Sequence, residues 1–261
     1  MGKYSSARMA LAGVAAITLA GCGSAASTTG AASTSSPAGS SSASAGPSAS
    51  ATTSADATAT SSGTTGASAP FPVAVGNTWI YQAVTNVNNA HSLDTKKIVS
   101  VTPATGGRQV TIEDSLIPGS GTVTQKYLFY DNGQIGFPIS SAHGVTIVSG
   151  NGIVWPNAAD LAAGKVTHST SKIKLTSGQF ETADVTVQGG GTQSVTTSAG
   201  KYQATLVNMT IVAHVGSFTS TITIKEWTAP GVGPVKSEET IKGAGQSPET
   251  STETLLSFKK G

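Results

Sequence analysis

Hydrophobic and polar positions divide this chain into three unlike stretches. Residues 9–20 are almost continuously apolar, residues 23–70 contain no large apolar side chain at all, and from Phe71 onward short apolar runs alternate with polar positions. The third stretch has the period of strands, rich in β-branched and aromatic residues and punctuated by Gly, Pro and Asn. It predicts strands near 78–87, 95–102, 108–115, 121–130, 134–139, 145–155, 166–175, 181–187, 192–198, 201–213, 217–228, 234–241 and 250–258. Spacing this short leaves no room for crossover helices, so consecutive strands should pair antiparallel in a single meander.

Several connections carry their own mechanism. Asp131-Asn132-Gly133 separates two strand patterns, and Asn-Gly tolerates the positive φ angles of a tight hairpin. Gly189-Gly190-Gly191, between the Thr/Val-rich runs 182–187 and 192–197, reads as a hairpin tip; no helix follows that would make it a phosphate cradle. Pro230-Gly231-Val232-Gly233-Pro234 reads as a rigid turn whose prolines do not suit a central strand. The only helical signal is Ala158 to Ala163, with Asn157 as cap and Gly164 as stop.

Alternation differs between strands. Thr221, Thr223 and Lys225 oppose Ile222 and Ile224, the pattern of a sheet wet on one side. Along 202–213 both faces are partly apolar, as in a strand covered on both sides or one lining an inner cavity.

The first 70 residues read as an address and a leash. Lys3 and Arg8 precede an apolar run too short to span a bilayer, and Leu19-Ala20-Gly21-Cys22 has the form of a lipobox, with small residues before a thiol. Residues 1–21 are thus a lipoprotein signal peptide, and Cys22 is the expected lipidation site and the first residue of the mature chain. Acyl chains there, such as palmitate, would anchor the protein in a membrane on its extracytoplasmic face, because two or more chains make attachment stable. Residues 22–70 form the acylated Cys and a tether: beyond Cys22, Asp56 is the sole residue that is not Gly, Ala, Ser, Thr or Pro. Such a segment cannot offset the entropy of ordering and is expected to be disordered, with a root-mean-square reach of about 38 Å. Its Ser and Thr, with Pro37, Pro47 and Pro70, also suit O-linked sugars. Residues 71–261 are the β domain.

Composition narrows the function. Cys22 is the single cysteine, so burial and hydrogen bonds alone must stabilise the domain. Without Lys3 and Arg8 the fifteen basic residues fall to thirteen, matching thirteen acidic ones, and the neutral mature chain lacks the basic footprint of a nucleic-acid binder.

Four stretches together, Gly76-Asn77-Thr78-Trp79-Ile80-Tyr81, Tyr130-Asp131-Asn132-Gly133-Gln134-Ile135, Val195 to Ala204 and Glu226 to Lys236, resemble a family of largely uncharacterised bacterial envelope proteins related to the TapB group. That family is similar, more distantly, to the LolA-type lipoprotein carriers. Where its third motif has Pro before Ala-Gly, this chain has Ser198. The resemblance implies a strongly curved antiparallel sheet or incomplete barrel that holds an acyl chain or another apolar ligand on its concave face, and it brings no catalytic residues.

Chemistry is sparse. His91, His143, His168 and His214 are scattered, and His91 with Asp94 reads as a surface turn, not a ligand set. There is no Gly-x-Ser-x-Gly, His-Glu-x-x-His or phosphate loop. Glu113-Asp114 and Glu238-Glu239 are neighbours on strands and point to opposite faces. No catalytic residue, metal ligand or cofactor is assigned. Trp79 and Trp227 read as core. Tyr127 and Phe129, sharing one face of a strand, and Trp155 are the candidates for lining a ligand cavity. The leading expectation is a non-enzymatic, membrane-anchored envelope lipoprotein that binds or carries an apolar or amphipathic ligand. The alternative is an envelope scaffold with a filled core that meets another envelope protein.

Overall fold

The computed structural model describes residues 71–86, 89–115, 122–137, 145–149, 152–175, 180–215, 218–243 and 247–261. The signal peptide, Cys22, the tether and His143 lie outside the described residues.

Among the described residues the domain has thirteen strands and one short helix. In chain order they are β1 (Thr78–Thr85), β2 (His91–Ala104), β3 (Gly107–Ser115), β4 (Thr122–Tyr130), β5 (Ile135–Phe137), β6 (Val145–Ser149), β7 (Ile153–Trp155), α1 (Ala158–Ala162), β8 (Val166–Leu175), β9 (Phe180–Thr197), β10 (Gly200–Val215), β11 (Phe218–Ala229), β12 (Gly233–Gly243) and β13 (Glu249–Lys259). All lie in one sheet, β6-β8-β9-β10-β11-β12-β13-β1-β2-β3-β4-β5-β7, in which every pairing is antiparallel. The meander expected from strand spacing is therefore present, with two additions.

The first addition is at the centre. β1 pairs with β13 from Thr78↔Lys259 to Thr85↔Ser251, so the two ends of the domain are neighbours. The indole N–H of Trp79 donates to the carbonyl oxygen of Val232 (2.6 Å), and the Tyr81 hydroxyl donates to that of Pro234 (3.0 Å), fixing β1 to the β11–β12 turn.

The second addition closes the sheet. The run 145–155, expected as one strand, is two: β6 joins β8 at one edge and β7 joins β5 at the other. Between them Gly152 donates its N–H to Ser171 Oγ (3.1 Å), and its carbonyl oxygen accepts from Ser169 Oγ (3.2 Å). A single segment thereby bridges both edges, and the sheet becomes a nearly closed barrel. Closure removes edges that would otherwise present unpaired backbone groups.

The triple glycine is not a hairpin tip. Residues 180–197 form one strand, paired to β10 from Thr182↔His214 through Thr197↔Gly200. Thr192 faces Thr205 and Gly189 faces Val207, so Gly190 and Gly191 together oppose Leu206, with Gly191 at φ +80°. This is a β-bulge, and the chain runs on because β10 continues beside it. A Cβ on Gly190 would stand 2.8 Å from the Leu206 side chain, and one on Gly189 would collide with the backbone of Leu161 in α1. The glycines thus permit close approach of a helix and a neighbouring side chain.

The extra residue also reverses which way β9 faces. Before it, Val185 and Val187 pack inside; after it, Gln193 turns outward, where its Oε1 accepts from the indole N–H of Trp227 (2.8 Å). This explains the two-sided pattern along 202–213. Val207, Met209, Ile211 and Ala213 fill the interior, while Leu206 lies opposite Trp227 on the outer surface. The one-sided reading of β11 holds: Ile222 and Ile224 are buried, and Thr223 and Lys225 are exposed.

Other local signals act as expected. Gly133, at φ +82°, completes the β4–β5 hairpin, with its N–H on the Tyr130 carbonyl (2.9 Å). Asn157 Oδ1 caps α1 through the N–H of Asp160 (2.9 Å), and the Gly164 N–H bonds the Leu161 carbonyl (3.1 Å) beyond its end. Pro234 corrects one expectation: read as lying outside any central strand, it is the second residue of β12, which runs between β11 and β13. It sits where the register to β11 shifts, and its other neighbour, β13, pairs only from Lys236, so no ladder donor is missed.

Candidate functional site

Strand alternation places a row of rings at one end of the barrel. On β4, Tyr127 and Phe129 are two apart and face inward. The β4–β5 hairpin brings Ile135 and Phe137 beside them, and β7, paired to β5 through Ile135↔Trp155, adds Trp155. Ring centroids are 5.2 Å apart for Tyr127–Phe137 and 5.8 Å for Phe137–Trp155. From the opposite side Phe71, just ahead of β1, lies 5.5 Å from Phe129 and 5.0 Å from Trp79. These rings enclose a cavity of about 70 Å³, which also reaches Tyr81, Lys96, Glu226, Thr228, Ser237 and Glu253. Its walls are aromatic and its floor is ionic.

The floor arises because five strands carry a charge at an inward position. Lys96 on β2 is 3.1 Å from Asp94 Oδ2 and donates to Glu253 Oε2 on β13 at 2.9 Å, with its ammonium 4.8 Å from the centre of the Tyr81 ring. Asp114 on β3, Glu226 on β11 and Glu239 on β12 complete the group, and all five carboxyl residues are less than a tenth exposed. The Thr228 hydroxyl donates to Glu226 Oε1 (3.1 Å), and the Tyr127 hydroxyl donates to Gln125 Oε1.

Burial dominates the proton affinities, because a low-dielectric interior disfavours charge. It pushes Asp114 up to about 9 against the pull of Lys96, with the hydrogen bond to Asp94 adding to the rise. Burial likewise raises Glu226 to about 7, opposed by Thr228 and Lys96, and Glu253 to about 7, opposed chiefly by Lys96. Glu239 is raised by burial and by Glu253. Burial alone would lower Lys96; Glu253, Asp94 and Asp114 outweigh it and hold the ammonium charged well above its ordinary range. The floor therefore holds more ionisable oxygen than one ammonium neutralises. Among the described residues no group of His, Cys, Asp or Glu is placed to hold a metal ion.

All three cavity candidates from the sequence, Tyr127, Phe129 and Trp155, line this one cavity. Trp79 and Trp227 are buried, as expected of core residues, but differently. Trp79 also lines the cavity, whereas Trp227 sits on the outer face beneath the Lys236 ammonium, 4.8 Å away. His91 is exposed and Asp94 fully buried, so they do not act together. The neighbouring carboxylates do split across the sheet: Asp114 and Glu239 point in, while Glu113 is exposed and Glu238 partly so.

Pairwise motif searching missed the ionic floor. Its signal was a charge in phase with the apolar positions of its own strand: Ile112-x-Asp114, Ile222-x-Ile224-x-Glu226 and Glu253-x-Leu255.

Residues 142–248, from just before β6 to beyond β12, match a family model described as DUF3108-like. Two solved structures share the fold. One is a Bacteroides fragilis protein inferred to be exported, with a YmcC-like fold, at TM-score 0.50 and 17% identity. The other is a Parabacteroides distasonis protein inferred to be a lipoprotein, at TM-score 0.52 and 17% identity. Each alignment covers 74% of this chain and 100% of the other. At that identity the likeness is one of fold. No curated protein matches the sequence significantly. None of these descriptions names the TapB group or the LolA-type carriers, so that resemblance rests on the turn motifs alone.

Proposed function

We propose that this protein is a non-enzymatic lipoprotein, anchored through Cys22 to the extracytoplasmic face of a membrane, whose barrel takes an apolar or amphipathic ligand into its aromatic end. The observation that carries this reading is the convergence of Tyr127, Phe129 and Trp155, from two strands, with Phe71, Trp79 and Phe137 around one cavity. A mostly apolar concavity with a few convergent polar groups is the usual form of a small-molecule site. The lipobox supports the placement, as do the neighbours of like fold, one inferred to be exported and the other a lipoprotein. The tether would let the barrel work some distance from the bilayer.

One observation favours the scaffold reading. The cavity, about 70 Å³, is under half the roughly 150 Å³ that accommodates benzene in an engineered core. A ligand would therefore enter by its end, with the remainder held along the rings at the mouth. Native mass spectrometry of the Cys22→Ala chain, purified without detergent, separates the two readings. Co-purifying lipid that is lost in Phe129→Ala or Trp155→Ala supports a ligand carrier. A bare chain that also takes up no added amphiphile moves the reading to a filled scaffold with a protein partner.

A further inference from the structure

We propose that the cavity selects amphiphiles whose polar end is a cationic hydrogen-bond donor, such as a primary ammonium, over those ending in a carboxylate or phosphate. This deepens the ligand-binding reading above and rests on it. The argument is a count of donors and acceptors at the cavity floor.

Apart from the hydroxyl of Ser237, which can donate as well as accept, the donors there are committed. Lys96 is held between Asp94 and Glu253, at 3.1 and 2.9 Å. The Tyr81 hydroxyl bonds the Pro234 carbonyl, the Tyr127 hydroxyl bonds Gln125, the Thr228 hydroxyl bonds Glu226, and the Trp79 indole bonds the Val232 carbonyl. The Lys236 ammonium lies on the outer face over Trp227, where it pairs with Glu238 at 2.7 Å, and so is not a donor at the floor.

Acceptors remain. Glu253 Oε1 and Ser237 Oγ both belong to cavity-lining residues, are buried, and have no hydrogen-bond partner. Glu253 is 3% exposed and Ser237 5%, so bulk water does not satisfy them at the surface. A buried acceptor without a donor costs free energy that a ligand N–H recovers. The two residues face each other across β12 and β13 through the pair Ser237↔Glu253, so one head group can reach both. Glu226 lies next to Ser237 in the β11–β12 register, adding a third oxygen-bearing side chain on the same floor.

Charge points the same way. Glu226 and Glu253 line the cavity, and the Lys96 ammonium beside them is already shared between Asp94 and Glu253, so carboxyl groups outnumber cations around an entering head group. The aromatic rim adds favourable faces for a cation passing over it.

The test uses the full Cys22→Ala chain and three probes of equal chain length, decylammonium, decanol and decanoate, with affinities measured by quenching of tryptophan fluorescence and by calorimetry. Decylammonium is expected to bind at least tenfold tighter than either other probe. Glu253→Gln should reduce that preference about tenfold, and Ser237→Ala, a gentler change that keeps the fold, should reduce it severalfold; circular dichroism checks both. Decanoate binding as well as or better than decylammonium overturns the inference and leaves the ligand reading standing. Decanol equal to decylammonium also overturns it, because charge then plays no part. Failure of all three probes to bind overturns the ligand reading itself and this inference with it.

Discussion

Lys96 Nζ lies 2.9 Å from Glu253 Oε2, although the two residues are 157 apart in the chain. The contact crosses β1, which runs between their strands, and ties the barrel's first half to its last strand. Removing one member of a buried ion pair strands the other charge, at a cost of about 3–5 kcal/mol. Lys96→Met is expected to lose about that much stability at pH 7 in urea unfolding, and less at pH 5, where Glu253, raised to about 7 by burial, can take up a proton. A loss below about 1 kcal/mol at pH 7 would show that the floor is already neutral.

Glu226 gives the domain a pH dependence of known sign. Its carboxyl is raised from an ordinary 4.5 to about 7 by burial, so the folded chain holds a proton that the unfolded chain has released. The associated stability is present in full below pH 4.5 and is lost as pH rises through about 7. At roughly 1.4 kcal/mol per pH unit, the difference is on the order of 1–3 kcal/mol. Glu226→Gln keeps an oxygen for the Thr228 hydroxyl and removes the charge. It should match the parent chain at pH 4 and exceed it by that amount at pH 8, and identical pH profiles for the two proteins would contradict the account.

The glycine bulge in β9 predicts a graded pair of substitutions. A methyl on Gly189 meets the backbone of Leu161, 2.7 Å from its carbonyl carbon, whereas one on Gly190 meets the movable ends of the Leu206 and Asn208 side chains. Overpacking of this kind costs about 1–3 kcal/mol. Gly189→Ala should fall at the upper end and displace α1, and Gly190→Ala should fall at the lower end. Equal melting temperatures for the two variants would refute the role given to the helix contact.

In the proposed placement, membrane attachment would hang on one atom, the sulfur of Cys22. Replacing it by alanine would then remove every acyl chain, and each buried methylene is worth roughly 0.8 kcal/mol of anchoring. In cell fractionation the Cys22→Ala protein should move from the membrane to the soluble extracytoplasmic fraction. Retention in the membrane would mean that something other than acylation holds it.

Legibility differed by the range of the cause. The hairpin at Asp131-Asn132-Gly133, the cap on α1 and the one-sided face of β11 depend on a few adjacent residues, and each was readable as such. The triple glycine was misread because a flexible tripeptide between two Thr/Val runs suits a turn or a bulge equally, and only the continuation of β10 alongside it decides. The run 145–155 has one unbroken β pattern, but its halves serve different partners. Tyr127, Phe129 and Trp155 were identified by their size and facing; their ionic neighbours were passed over because each acid stands alone in its own strand.

By itself the sequence determined a mostly β domain, laid down as a meander of short antiparallel strands, because alternation and turn residues act within ten positions or fewer. It also set which side chain of each strand turns inward, wherever no bulge intervenes. Only the tertiary structure decided that β1 meets β13, that one segment bridges both sheet edges, and that Asp94, Lys96, Asp114, Glu226, Glu239 and Glu253 share one interior. Those outcomes depend on closing a curved sheet on itself, which sets distances between residues more than a hundred positions apart and leaves no mark in the local pattern of either.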